Sequence, residues 1–228
     1  MNIGVLLMSH KLSIKAAIFD MDGLLINSEP LWSQAEKEIL SKLGVNTSIA
    51  NQLPDTLGLR IDQVVQLWYS AAPWQGTSLE EVEQKIVKRV IELIEEQRPL
   101  LPGVKHALQL CQDHNLKIGL ASASPKHMLE KVLTMFNIRD YFSAVVSATP
   151  LPYSKPHPEV YLQAAKLLDI EPTYCVAFED SFHGMIAVKA ARMRSIVVPP
   201  KDYFTDPRWT LADFKLTNLT ELAIKHIV

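Results

Sequence analysis

A chain of 228 residues, 48% hydrophobic and 21% charged, has room for one large α/β domain or for a core with a smaller inserted module. Its formal net charge of -2 offers no basic excess for nucleic acid and no acidic tail for a disordered interaction segment. Two cysteines, Cys111 and Cys175, make neither a disulfide framework nor a zinc-ligand spacing, which fits a reducing cytoplasm, and no stretch approaches the roughly 20 apolar residues of a membrane span.

Residues 1–13, MNIGVLLMSHKLS, hold an apolar patch too short for a signal peptide and read as an extension ahead of the domain. AAIF (16–19) reads as a fully buried strand and runs straight into FDMDGLLINSEP (19–30). Helical patterns follow at 30–44, ending at Gly44, at 61–71, and at 78–97, where Ser78 and nearby acids mark a capped start. PLLPGV (99–104) marks a return, and 103–115 predicts a crossover helix into KIGLA (117–121). Strand patterns recur at AVVSA (144–148), CVAF (175–178) and SIVVP (195–199), with helices predicted over 127–136, 158–168 and 184–192. This alternation predicts a Rossmann-like, doubly wound parallel sheet. The interval between the first two strands is far longer than one crossover requires. It predicts a small inserted α-helical domain over 30–99, bounded by Pro30 and by Pro99 and Pro102, on a core of 14–29 and 100–228.

Charge is expensive at the end of a buried strand, yet Asp20 and Asp22 stand there. In an open parallel sheet, ligands bind outside the carboxyl ends of the strands. Ser122 follows the second strand, Lys155 the third, Glu179 and Asp180 the fourth, so all reach one rim. Carboxylates gathered there repel one another unless a cation sits among them, and hard oxygen ligands suit Mg²⁺. Lys155 and the Ser122 hydroxyl would complete an anion site whose natural occupant is a phosphoryl group. Asp20 is then placed as a nucleophile forming an aspartyl-phosphate, and Asp22 as general acid and later general base. Structural alternatives stand beside these roles: Ser122 and Ser124 as caps of the next helix, Glu179 and Asp180 as an N-cap pair, Lys155 as a surface lysine, and His183 as a helix-face residue.

The order FDMDGLLINSEP, LASAS, SKPHPEVY, FEDSFHGMIAVKAA resembles the haloacid dehalogenase superfamily over nearly the whole chain. The branch it resembles carries a small helical cap and contains β-phosphoglucomutases and phosphosugar phosphatases. The resemblance implies Asp20 as nucleophile and Mg²⁺ ligand, and Asp22 as acid/base that lends its backbone carbonyl to the metal. It implies that Ser122 and the Ala123 N–H hold the transferring phosphoryl group. Lys155 would neutralise charge, and Asp180 with Glu179 would bind Mg²⁺. In the cap region Glu29, Trp32 and Arg60 are expected to face the substrate. Two departures are Asn27, where relatives often carry Asp, and Arg192, where they often carry Gly. Trp32 stands where the mutases usually carry His, which favours a phosphatase over a mutase. The expected activity is Mg²⁺-dependent hydrolysis of small sugar or sugar-alcohol phosphates, such as 2-deoxyglucose 6-phosphate and hexitol phosphates. A phosphosugar mutase and a non-catalytic phosphosugar-binding protein are the alternatives. The expected partner is a small molecule, with no nucleic acid and no membrane, and a monomer suffices.

Overall fold

The computed structural model describes residues 13–227; positions 1–12 of the expected extension lie outside the described residues. Six parallel strands form one sheet: β1 (Ala16–Phe19), β2 (Lys117–Ser122), β3 (Ala144–Ser147), β4 (Cys175–Glu179), β5 (Arg194–Val197) and β6 (Phe214–Lys215). Their order is β3-β2-β1-β4-β5-β6, the doubly wound arrangement expected from the alternating pattern. The two-residue β6, which pairs with Ile196 and Val197, was not expected, because it is too short to display a period.

Alternation along the strands sorts the core into two layers. Ala17, Phe19, Ile118, Leu120, Val176 and Phe178 pack to one face against α4 (Val104–Asp113) and α5 (Lys126–Met135). Ala16, Ile18, Ala121, Val146 and Ala177 face α6 (Glu159–Leu168) and α7 (Phe182–Ala190). The second layer is rich in alanine, including Ala164, Ala165 and Ala187 on the helices, so backbones approach closely there. In register, Phe19 of β1 stands beside Phe178 of β4, and their rings stack at 4.3 Å. β1 is buried along its whole length between β2 and β4, so its carboxyl end opens where the chain turns to opposite sides of the sheet.

Between β1 and β2 the chain forms α1 (Glu29–Lys42), α2 (Ile61–Ala71) and α3 (Leu79–Gln97). Leu31, Ala35, Val65, Trp68, Val82, Ile86 and Val90 give these helices a shared apolar interior. The expected cap of α3 is present: the Glu81 N–H donates to Ser78 Oγ at 3.2 Å, and the Ser78 N–H donates to Glu81 Oε2 at 3.0 Å. Asn27 is exposed; its backbone N–H donates to Pro99 O at 2.8 Å, joining the two segments that lead into and out of these helices. Arg192 sits at φ 63°, the left-handed conformation in which a glycine would be unstrained. No helix among the described residues is long and apolar enough to cross a membrane.

Candidate active site

Asp20 follows β1 directly and its N–H donates to Phe178 O at 3.1 Å. The chain then folds tightly: Met21 O accepts from the N–H groups of Leu24, Leu25 and Ile26, and the Gly23 N–H donates to Ile26 O. Gly23 lies at φ 73°, and a Cβ there would stand 1.9 Å from Asp180 Oδ2. Only glycine lets this turn lie against the carboxyl end of β4. Lys155 arrives from the loop after β3 and is fully buried. Its ammonium donates to Asp20 Oδ1 at 2.7 Å and to Glu179 Oε1 at 2.6 Å. It also lies 5.2 Å from the centre of the Tyr161 ring, whose hydroxyl donates to the same Glu179 oxygen. The other Glu179 oxygen accepts from the Ser181 N–H at 3.3 Å and from its hydroxyl at 3.0 Å. Both Glu179 oxygens are therefore occupied by protein donors, so this residue chiefly anchors Lys155.

Asp20, Glu179 and Asp180 each bring a carboxylate oxygen within 4.8 Å of the others, all buried. Burial pushes the Asp20 carboxyl up to about 8; Lys155 opposes this, while Glu179 and Asp22 reinforce it. Burial, with Glu179 and Asp20 nearby, holds Asp180 well above the usual carboxylate range. For Lys155 burial works against the charge, but Asp20 and Glu179 outweigh it and hold the ammonium above its ordinary value. One lysine does not balance three acids. Asp180 Oδ2 is moreover buried with no hydrogen-bond partner among the described residues. Hard oxygen donors, an excess of negative charge and an orphaned carboxylate oxygen together fit a divalent cation such as Mg²⁺.

The Asp22 carboxylate turns away from this cluster. Its Oδ1 accepts from Ser28 Oγ at 2.6 Å and from the Trp32 indole N–H at 3.0 Å. Its Oδ2 accepts from Ser124 Oγ at 2.7 Å and, at a long 3.5 Å, from Ser122 Oγ. Asp20, Asp22, Ser122, Ala123 and Lys155 line one cavity of about 50 Å³, together with Glu29 and Trp32. The Ala123 N–H has no acceptor among the described residues, and Ala123 lines this cavity beside Ser122. Burial, then the nearby Asp22 and Asp20, pushes the Glu29 carboxyl up to about 8.

The structure thus gathers the motif residues and corrects others. Arg60, expected to face the substrate, does not line the cavity. It forks onto Asp62 at 2.6 and 2.7 Å and donates to the carbonyls of Ala148 and Leu151 at 3.0 and 2.8 Å, so its planar guanidinium ties α2 to the loop after β3. The Asp22 side chain lies outside the three-acid cluster, held by hydroxyl and indole donors, which agrees with an expected metal contact through its backbone carbonyl alone. Neither Ser122 nor Ser124 caps α5, whose N-cap position is Pro125. The N-cap of α7 is Ser181, not the acidic pair before it. His183 does sit on a helix, with its ring nitrogen 2.9 Å from Leu57 O.

Ser28, Ser124, Tyr161 and Ser181 were not foreseen in these contacts. Ser28 stands before Glu29 and Pro30, which reads as a helix N-cap. It holds that position, but its hydroxyl makes no cap bond and serves Asp22 instead. Tyr161 lies in the apolar stripe of α6, and only the approach of that helix to β4 reveals its partner.

A family model described as haloacid dehalogenase-like hydrolase matches residues 17–198. Hexitol phosphatase B of Escherichia coli (strain K12) is 61% identical over 221 residues, 97% of this chain and 100% of that protein. The β-phosphoglucomutase of Bacillus subtilis (strain 168) is 32% identical over 81% of this chain and 83% of its own length. Among solved structures, β-phosphoglucomutase from Clostridium difficile superposes with a TM-score of 0.80 at 25% identity, covering 94% of this chain and 95% of that one. The resemblance carried by the motifs is borne out, and the chain belongs to the haloacid dehalogenase-like hydrolase family.

Proposed function

We propose that this hydrolase is a Mg²⁺-dependent phosphatase that releases phosphate from small sugar phosphates and sugar-alcohol phosphates, hexitol phosphates and 2-deoxyglucose 6-phosphate among them. The observation that carries this reading is the shared cavity. One wall holds a carboxylate fixed by a buried lysine, and the same space is lined by a second carboxylate that accepts only from hydroxyl and indole donors. Two acids in such different surroundings are suited to different tasks.

In the proposed reaction an Asp20 oxygen attacks phosphorus as the bond to the substrate alcohol breaks. Asp22 gives its proton to the departing oxygen. Lys155, Ser122 and the Ala123 N–H balance charge on the transferring group. Once the alcohol has left, Asp22 takes a proton from water. The water oxygen bonds to phosphorus, the Asp20–phosphorus bond breaks, and inorganic phosphate and free carboxylate result. Asp20 and Asp180 would hold Mg²⁺, with the Asp22 carbonyl contributing and Glu179 acting through its contact with Lys155. The ion would supply the positive charge that keeps Asp20 ionised against its burial. In this reading residues 30–99 form a cap over a core of 14–29 and 100–228.

The cavity also argues against a mutase. Lys155 is its one cation among the described lining residues, while Glu29 and Glu36 stand on the cap side. A bisphosphorylated intermediate would find no second cation in this cavity for its other dianion. A neutral polyol tail needs none. The test is phosphate release, with Mg²⁺, from hexose, pentose, hexitol and glycerol phosphates. Release from hexitol and hexose phosphates supports the reading. Interconversion of glucose 1- and 6-phosphates without release would overturn it.

A further inference from the structure

The reactive cavity is small. About 50 Å³ holds only a few water-sized groups, at roughly 10–15 Å³ each. It has room for a phosphoryl group and its nearest atoms, but not for a six-carbon chain with a hydroxyl on each carbon. The remainder of such a substrate needs space elsewhere.

Space of the right kind adjoins it. A second cavity, of about 350 Å³, shares four wall residues with the first: Glu29, Trp32, Glu36 and Thr56. It extends past Asn51 to Tyr203, which comes from the core after β5. This size falls within the range of small-molecule sites. Its shared wall is chemically suited to hydroxyl groups. Glu36 spends one oxygen on the Trp68 indole N–H at 2.9 Å and has the other free among the described residues. No side-chain hydrogen bond to Glu29 exists among the described residues, although Glu29 lines both cavities. Burial pushes both carboxyl groups up, and a carboxyl group can accept from a hydroxyl when ionised and also donate to one when protonated. Trp32 is held by Asp22 through its indole nitrogen and sits on the same wall, where its ring offers an apolar face. A different groove, between α3 and α5, is larger but shares only Ile61 with the reactive cavity and pairs acids with lysines along its rims. It offers no comparable continuation.

We infer that this outer cavity is the subsite for the polyol tail of the substrate, with Glu36, Glu29 and Thr56 as the specificity-determining contacts that favour hydroxyl-rich chains of about six carbons. The inference rests on the phosphatase reading and adds to it the place where chain length is measured. A three-carbon substrate such as glycerol phosphate stays within the inner cavity and the shared wall. A hexitol phosphate crosses into the outer one.

The experiment compares kcat/KM for a hexitol phosphate with that for glycerol phosphate in three full-length proteins. These are the unchanged enzyme, Glu36→Gln and Asn51→Trp. Glu36→Gln keeps an acceptor for Trp68 but replaces the carboxyl group by an amide. Asn51→Trp places bulk at an exposed rim position and fills the outer cavity without entering the inner one. The ratio of the two constants is expected to fall about tenfold in each variant, chiefly through KM of the hexitol phosphate. A ratio within twofold of the unchanged enzyme in both variants, with phosphate still released, would overturn the subsite and leave the phosphatase reading standing. No phosphate from either substrate with the unchanged enzyme would overturn both.

Discussion

Replacing Lys155 by methionine removes one buried charge while nearly conserving volume. The ammonium lies 2.7 Å from Asp20 and 2.6 Å from Glu179, and all three side chains are at most 5% exposed. Breaking a buried ion pair by deleting one partner typically costs about 3–5 kcal/mol. Here the folded protein has a way to limit that cost: one more carboxyl can take up a proton. Against an unfolded carboxyl near 3.9, holding that proton costs about 1.5 kcal/mol at pH 5 and about 5.5 kcal/mol at pH 8. The deficit of Lys155→Met, measured by urea denaturation in metal-free buffer, is therefore expected to be about 1–2 kcal/mol at pH 5 and about 3–5 kcal/mol at pH 8. The sign follows from the raised carboxyls, because Asp20 is already pushed up to about 8 with the lysine in place. Between the unfolded value and the folded one, the folded state binds the extra proton. Its stability is present at low pH and is lost as pH rises. Equal deficits at the two pH values, or a loss under about 1 kcal/mol at pH 8, would show that Lys155 does not compensate these acids.

The same linkage predicts that the metal-free unchanged protein loses stability from about pH 4 to pH 8, since Asp20 and Asp180 are both raised. Mg²⁺ should raise its Tm clearly at pH 8 and little at pH 5, where the carboxyls hold protons; a scanning-calorimetry series with and without Mg²⁺ checks this. Asp20→Asn should abolish phosphate release while preserving the circular-dichroism spectrum, and substantial remaining turnover would exclude Asp20 as nucleophile. Trp32→Phe removes one donor from Asp22 and should lower kcat about 10- to 100-fold, with a shifted acidic or basic limb in the pH–rate profile. A change in KM alone would mean that the indole packs against substrate without positioning Asp22. Arg192→Gly should stabilise the protein by about 1 kcal/mol, or roughly 2–4 °C in Tm, because φ 63° costs a glycine nothing.

The sheet was legible in the sequence because its signals are local. AAIF, KIGLA and CVAF are short apolar runs with polar groups immediately after them, and a parallel sheet must place those ends on one edge. The position of Asp20, Ser122, Lys155 and Asp180 at one rim follows from that topology alone. Arg192 was noted as standing where relatives often carry Gly, and its backbone is left-handed, the conformation that glycine adopts without strain.

What a side chain touches across the fold was not readable. Arg60 was expected to face the substrate, yet four of its N–H groups are taken by Asp62 and by two carbonyls some ninety residues onward, and it does not line the cavity. Ser28 and Tyr161 carry no signal of their partners in the sequence; folding brought a carboxylate beside each. Glu36 and Thr56 carry no motif at all; only the apposition of the inserted helices and the core makes them a wall. The sequence determines which strand ends carry charge because patterning is encoded within a few residues. Tertiary structure decides which donor each charge receives, because directional bonds act over about 3 Å and depend on how distant segments pack.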